Sequence, residues 1–252
     1  LGMTNSNFSV DIMKSSENAA LGYKKEEEEV KYIPYRNIDQ IGPAGSINSS
    51  INDMVKWVQF HLNKGKVDSK EIINNAQIEK MHTPHMVISK GSATSPEIQS
   101  VNYGLGWFTR VYDGIYTVEH GGNIDGFSAL VYMQPSKDLG IVILTNMNGT
   151  AVPGVVANTI VDELLDLDER DWYNRVYGEE EEEEEKEEEE KEKFRAEDTS
   201  PTKPLTEYVG IYEHPSYGKI HISMNEKNDG RKGLHFKKQS FESDLEHWHY
   251  NL

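Results

Sequence analysis

The chain has 252 residues, no cysteine, 36% hydrophobic residues, and 43 acidic against 26 basic side chains, for a formal net charge of −17. That length suits one large domain or two modest ones, and the missing cysteines exclude a disulfide scaffold, a thiolate nucleophile and a zinc–thiolate site. The acidic balance argues against nucleic acid or anionic membrane as partners, because both demand basic patches.

Much of the charge is local. Residues 179–192 hold twelve Glu and two Lys, net −10, which leaves −7 for the other 238 residues. No apolar run approaches the roughly 18 residues of a membrane span, so no membrane segment is expected in this chain. The chain starts at Leu1 rather than Met, and an alternating run through His247 and His249 stops at Leu252. It is therefore expected to be a piece of a longer protein, with a compartment that cannot be read from it.

Residues 1–40 carry little periodicity, and Lys24 to Glu29 reads as a solvated loop. The chain turns sharply at Gly42-Pro43-Ala44-Gly45-Ser46. A helix is expected next, capped by Ser49 or Ser50, with Asp53 in its first turn, Ile51, Met54, Val55, Val58 and Leu62 on one stripe, and Gly65 as the C-cap. A shorter helix is expected over Lys70 to Met81, stopping before Pro84.

From Tyr103 the pattern becomes that of strands. Tyr103 to Phe108 leads into Val111-Tyr112, and Asp113-Gly114 is a two-residue hairpin signal. Ile115 to Glu119, Phe127 to Gln134 and Gly140 to Asn146 follow as strands, with Pro135 to Asp138 as a turn. Residues 152–167 read as an amphipathic helix with Val155, Val156, Thr159, Ile160, Glu163, Leu164 and Leu167 on one side. The fold class is thus α+β, an antiparallel sheet covered by helices. Residues 178–204 read as an acidic disordered linker. Beyond Leu205, strands are expected over Glu207 to His214, Lys219 to Met224, Leu234 to Lys238 and Glu246 to Tyr250, with a turn at Asn228-Asp229-Gly230, as part of a small β-barrel.

The densest cluster of special residues is Glu119-His120-Gly121-Gly122-Asn123-Ile124-Asp125-Gly126-Phe127. A strand delivers His120, and glycines in a strand mark a bulge or the close approach of another molecule. His120 there can position a substrate carboxylate or move a proton; the competing reading is an exposed hairpin histidine.

Several motifs occur in one order: Gly42 to Met54 (GPAGSINSSINDM), Tyr103-Gly104-Leu105-Gly106-Trp107, His120-Gly121-Gly122, and Asp125-Gly126-Phe127-Ser128. Together they resemble the serine β-lactamase and penicillin-binding protein superfamily, in particular its class C-like esterase, peptidase and LACTB-type members. Leu1 to Thr4 and Ala20 to Tyr23 resemble the stretch that follows the family's Tyr-x-Asn motif. The resemblance covers roughly residues 1–167, and residues 205–252 resemble the lipocalin-like β domain appended to some members. It implies a serine nucleophile opening a helix, a lysine one turn later, a tyrosine, and hydrolysis of an acyl-enzyme. His120-Gly121-Gly122 matches the family's third motif. By that match His120 would orient substrate or assist proton transfer, Gly121 and Gly122 would let the substrate lie against the strand, and the Asn123 N–H would supply half of an oxyanion hole.

The chain departs from the pattern at the nucleophile. Ser200 to Lys203 and Ser216 to Lys219 spell Ser-x-x-Lys, but after the third motif, and Tyr35-Arg36-Asn37 spells Tyr-x-Asn in a variable loop. All three read as coincidences. The expected parent is a serine hydrolase acting on an amide, peptide, β-lactam or ester, with a small-molecule or peptide substrate and no cofactor, and this piece lacks the nucleophile motif. The alternative is a non-catalytic scaffold or binding protein that keeps the penicillin-binding fold, with self-association through the C-terminal β domain. Pro84 separates His82 from His85, which argues against a helical metal pair. His247 and His249, with His235, would share a strand face, so a three-histidine metal site is the weaker alternative to a plain surface strand. Trp57, Trp107 and Phe127 read as core, and no Walker, Rossmann or EF-hand pattern occurs.

Overall fold

The computed structural model describes residues 1–26, 29–38, 41–92, 95–178, 191, 193–196, 198–226, 230–239 and 241–251. Residues 179–190, 192 and 197 of the acidic linker expected over 178–204, and Asn228 and Asp229 of the turn expected at Asn228-Asp229-Gly230, lie outside them. The chain divides into two compact units, Leu1–Gly178 and Glu179–Leu252.

In the first unit two short antiparallel pairs precede the main sheet: Gly22–Glu26 (β1) with Glu29–Ile33 (β2), and Lys66–Val67 (β3) with Lys70–Glu71 (β4). The run from Lys24, expected as a loop, is therefore largely strand. The main sheet is a six-stranded antiparallel meander of Met86–Gly91 (β5), Ile98–Tyr103 (β6), Phe108–Tyr112 (β7), Ile115–Ile124 (β8), Phe127–Gln134 (β9) and Leu139–Thr145 (β10), paired in chain order. Its helices include Val10–Lys14 (α1), Gly42–Gly45 (α2), Ile51–Leu62 (α3), Asn75–His82 (α4) and Val152–Leu164 (α5).

Turn chemistry closes the central strands. Asp113 and Gly114 have φ of +46° and +74°, and Asp125 and Gly126 have +32° and +94°. Two consecutive positive φ values match the twist of the flanking strands, and Asp and Gly bear them at least cost. Along β9, alternate side chains serve opposite layers. Leu130 and Tyr132 pack with Ala157 and Val161 of α5, whereas Val131 and Met133 pack with Trp57 and Val58 of α3. The antiparallel sheet is thus covered by helices, as the sequence predicts, with α5 on one face and α3 on the other. A Cβ on Gly140 would lie 2.2 Å from Val58 Cγ1, so this strand glycine is what lets α3 rest directly on β10.

Both long helices occupy nearly the expected spans, but only part of each expected stripe turns inward: Val58 and Leu62 of α3 and Val155 of α5 meet the core. In α3, Ile51 and Val55 are exposed and the buried positions are Asp53, Val58, Phe60 and His61. The aromatic side chains take the interior because they remove the most apolar surface from water. Asp53 can follow because it accepts hydrogen bonds from the Asn5 N–H (2.7 Å) and Ser6 Oγ (2.9 Å). Ser50 stands at the N-cap without a side-chain capping bond.

In α5, Val156 and Leu164 are exposed, while Asn158 and Asp162 join Ala157 and Val161 inside. Asp162 accepts from the Tyr112 hydroxyl, Trp172 Nε1 (2.7 Å) and Arg170 Nη1 (3.1 Å). Polar groups with full partners bury readily, and this shifts the phase that an apolar count assigns.

The second expected helix also changes. It begins at Asn75 rather than Lys70, because Asp68 and Ser69 adopt left-handed φ (+46° and +65°) and close the β3–β4 hairpin. Asn74 then caps α4, its side chain accepting from the Ala76 N–H at 2.8 Å. The main sheet starts at Met86, before Tyr103; β5 is exposed along most of its length and so shows no alternation to read.

The second unit holds a 3-10 turn, Leu205–Tyr208, in place of the first part of an expected strand, followed by a four-stranded antiparallel meander: Gly210–His214 (β11), Gly218–Glu226 (β12), Lys232–Lys238 (β13) and Phe241–Asp244 (β14). The strand expected over Glu246 to Tyr250 is irregular chain. His247 and His249 therefore share no strand face: His247 Nε2 donates to the Tyr250 carbonyl (2.9 Å), His249 Nδ1 accepts from the Ala196 N–H (3.2 Å), and His235 Nδ1 bonds Asp244 (2.8 Å). No helix among the described residues is long and apolar enough to cross a membrane.

Candidate active site

The site candidate follows from unequal strand lengths. β7 pairs with β8 from Tyr112↔Ile115 to Phe108↔Glu119, whereas β9 pairs with β8 as far as Ile124↔Phe127. His120 to Ile124 therefore extend beyond β7, and among the described residues no strand pairs with them on that side. Each two-residue hairpin makes its flanking residues a hydrogen-bonded pair, and such pairs recur at every second residue. Odd-numbered residues of β8 consequently face β7 and even-numbered ones face β9. The backbones of Gly121 and Asn123 are turned to the open edge. This is a strand edge on which an extended ligand could form main-chain hydrogen bonds.

The side chains around it are anchored. His120 Nδ1 lies 2.6 Å from the Gly121 carbonyl oxygen, and its Nε2 lies 3.1 Å from the Tyr103 hydroxyl. The Phe108 ring flanks the imidazole at 5.3 Å between centroids. A Cβ on Gly122 would meet nothing within 4 Å, so this glycine borders open space. Asn123 turns its side chain away from the edge, Oδ1 accepting from Ser128 Oγ (3.0 Å) and the Gly149 N–H (2.8 Å). Its bonds tie β8 to the chain after β10. Glu119, next to His120 in sequence, points to the opposite face of the strand, 3.1 Å from Arg110 Nη2. Burial raises the Glu119 carboxyl above its ordinary value, against the opposing pull of Arg110.

The Asp125-Gly126 turn is held by the N-terminal segment. A Cβ on Gly126 would lie 2.6 Å from the Gly22 Cα, so β1 crosses the turn at backbone contact. The Tyr23 N–H donates to the Gly126 carbonyl (3.3 Å) and the Asn146 carbonyl (3.1 Å). Arg36 reaches Asp125 through Nε (2.9 Å) and Nη2 (3.1 Å), and Tyr35 stacks on Phe127 with an interplanar angle of 12°. The Tyr35-Arg36-Asn37 string thus braces the turn. Burial, with Tyr32 nearby, pushes the Tyr35 phenol up, the opposite of what a tyrosine base requires.

The two Ser-x-x-Lys strings do not open helices. Ser200 to Lys203 is irregular chain with Lys203 Nζ 3.1 Å from Glu207, and Ser216 to Lys219 is the β11–β12 turn and strand start. No group of three or more His, Asp or Glu among the described residues is placed to hold a metal ion. Tyr103 and Phe108 are the residues around His120 that sequence reasoning missed as site residues. The Tyr103-to-Trp107 motif pointed at that stretch, but nothing local says that Tyr103 meets a histidine 17 positions later.

The beta-lactamase family model matches residues 1–166. The chain belongs to the β-lactamase family. A second family model, for a domain of unknown function (DUF3471), matches residues 195–252. Similar curated proteins include an Unguisins hydrolase of Aspergillus campestris, 28% identical over 243 residues, covering 91% of this chain and 44% of that protein. Protein flp of Staphylococcus aureus is 29% identical over 157 residues, covering 62% of this chain and 28% of flp. Among solved structures, the octameric penicillin-binding protein homologue from Pyrococcus abyssi superposes with a TM-score of 0.57 at 19% identity, over 97% of this chain and 47% of the homologue. The chain therefore spans less than half the length of these relatives. It is a β-lactamase-related chain of the serine β-lactamase and penicillin-binding protein superfamily, a family of hydrolases.

Proposed function

We propose that this chain is the C-terminal part of a serine hydrolase and forms the wall of the cleft opposite the nucleophile. In this reading residues 1–177 belong to the hydrolase domain, 178–204 are an acidic linker and 205–252 an accessory β domain. The observation that carries the reading is the free edge of β8 at His120 to Asn123. A substrate laid along that edge would meet the Gly121 and Asn123 backbones, and a tetrahedral oxyanion near Asn123 would find its N–H. Gly122 leaves room for the substrate, and His120 stands at the inner end of the edge to orient it.

The nucleophilic serine, its lysine and the tyrosine then come from outside these 252 residues. Two facts support this: neither Ser-x-x-Lys string opens a helix, and the relatives are more than twice as long as the matched part. The reaction is attack of serine on an amide or ester carbonyl, expulsion of the leaving group, and hydrolysis of the acyl-serine. The hydrolase named among the relatives supports hydrolysis as the reaction class. The β8 backbone contributes electrostatic stabilisation, and losing one such donor costs about 10²–10³-fold in rate.

Intact mass after treatment with a fluorophosphonate probe tests this. The full-length protein should take up one adduct, on a serine outside this chain. A stoichiometric adduct on any serine of residues 1–252 overturns the proposal. In the full-length protein His120→Ala should lower kcat/KM by about 10²-fold or more.

A further inference from the structure

The proposed site leaves open what state the His120 ring is held in, and its two nitrogen contacts answer this. Nδ1 lies 2.6 Å from the Gly121 carbonyl oxygen. A carbonyl oxygen only accepts, so the neutral ring carries its proton on Nδ1. Nε2 is then a lone pair, and the Tyr103 hydroxyl at 3.1 Å is its donor. Tyr103 is itself fixed, packed edge-on against Phe108 at 4.8 Å, while Phe108 flanks the imidazole. Tyr103 ends β6, Phe108 opens β7 and His120 lies on β8. Three consecutive strands thus converge on one imidazole.

We infer that Tyr103 is a positioning residue of the proposed site: with the Gly121 carbonyl it locks His120 in the Nδ1–H tautomer, so that Nε2 works as an acceptor. The inference rests on the proposed role of His120 for its functional meaning, though not for its geometry. The partner of one ring nitrogen sets which atom the other presents. A neutral His120 held this way offers substrate a lone pair at Nε2, with the Tyr103 hydroxyl keeping that position until a substrate N–H or O–H replaces it. A substrate carboxylate there would meet a lone pair rather than a proton, contrary to the carboxylate-binding role expected from the sequence. The ring bonds back to the Gly121 carbonyl, which is available because β7 does not pair beyond Glu119.

The test is imidazole ¹⁵N NMR on the whole chain, at a pH where the rings are neutral, for the native protein and for Tyr103→Phe. The native His120 signals should report protonated Nδ1 and unprotonated Nε2. Removing one hydrogen bond should shift the tautomer ratio about fivefold toward Nε2–H. Backbone amide spectra check that the variant keeps its fold. If Tyr103→Phe unfolds the chain, Tyr103→Leu, which fills space without any hydrogen-bond donor, is measured in its place. A native ring protonated at Nε2, or a ratio unmoved by loss of the hydroxyl in a folded variant, overturns the inference. The proposed function is read separately: unchanged kcat/KM in full-length His120→Ala refutes the site while leaving the NMR result standing.

Discussion

The buried pair His61 and His82 should make the first unit sensitive to acid in a window above that of the carboxylates. His61 Nδ1 lies 3.0 Å from His82 Nε2, and Trp57, Phe60 and Trp107 surround His61. Burial pushes both imidazoles down from 6.5 to about 4, with His82 adding to the effect on His61. The unfolded chain therefore binds protons that the folded one refuses. Stability is full above pH 6.5, falls as the pH drops below it, and levels off near pH 4. Linkage with these values gives a loss of about 1.4 kcal/mol per ring at pH 5.5, or about 3 kcal/mol for the pair. With a urea slope of about 2 kcal/mol/M, the midpoint should drop by about 1.4 M between pH 7.5 and 5.5. Tryptophan fluorescence reports the transition, since Trp57 and Trp107 touch His61. His82→Gln keeps a hydrogen-bond partner but does not titrate, so it should remove about half of the pH dependence. A midpoint constant from pH 7.5 to 5.5, or a pH dependence unchanged in His82→Gln, would refute the assignment.

Two further expectations concern packing. Gly140→Ala places a methyl where Val58 Cγ1 stands 2.2 Å away. It should destabilise by about 1–3 kcal/mol, since a packed core resists added volume; a denaturation midpoint within error of the native one refutes the contact. Asp162→Ala removes the acceptor shared by Tyr112, Trp172 and Arg170. Arg170 keeps Asp113 at 2.8 Å, so the cost is that of leaving the buried Tyr112 and Trp172 donors unpaired, about 2–4 kcal/mol, measured by urea unfolding; a loss below about 1 kcal/mol shows that the network is dispensable.

Much of the central sheet was legible because its signals are local. Asp113-Gly114 closes a hairpin wherever it occurs between strands, and Phe127 to Gln134 alternates cleanly because its two sides face different layers. The span of α3 was also legible, since its repeat holds whichever face is buried. The phase was not: Asp53, Asn158 and Asp162 sit inside because of partners at Asn5, Ser6, Arg110, Tyr112 and Trp172, which no window around a helix contains. The hairpin at Asp68-Ser69 was missed because their left-handed backbone is less expected than in an Asp-Gly pair.

For the candidate site, the sequence by itself determined the ingredients: a strand histidine, two glycines and an Asp-Gly turn. Their composition follows from backbone demands at those positions. Only the tertiary structure decided what they amount to. β7 begins only at Phe108, so β8 keeps an open edge from His120 onward, and the meander brings Tyr103 from two strands away to the imidazole. The reason is physical: strand ends and cross-strand neighbours depend on the pairing register of distant segments, whereas turns and periodicity depend on a few consecutive residues.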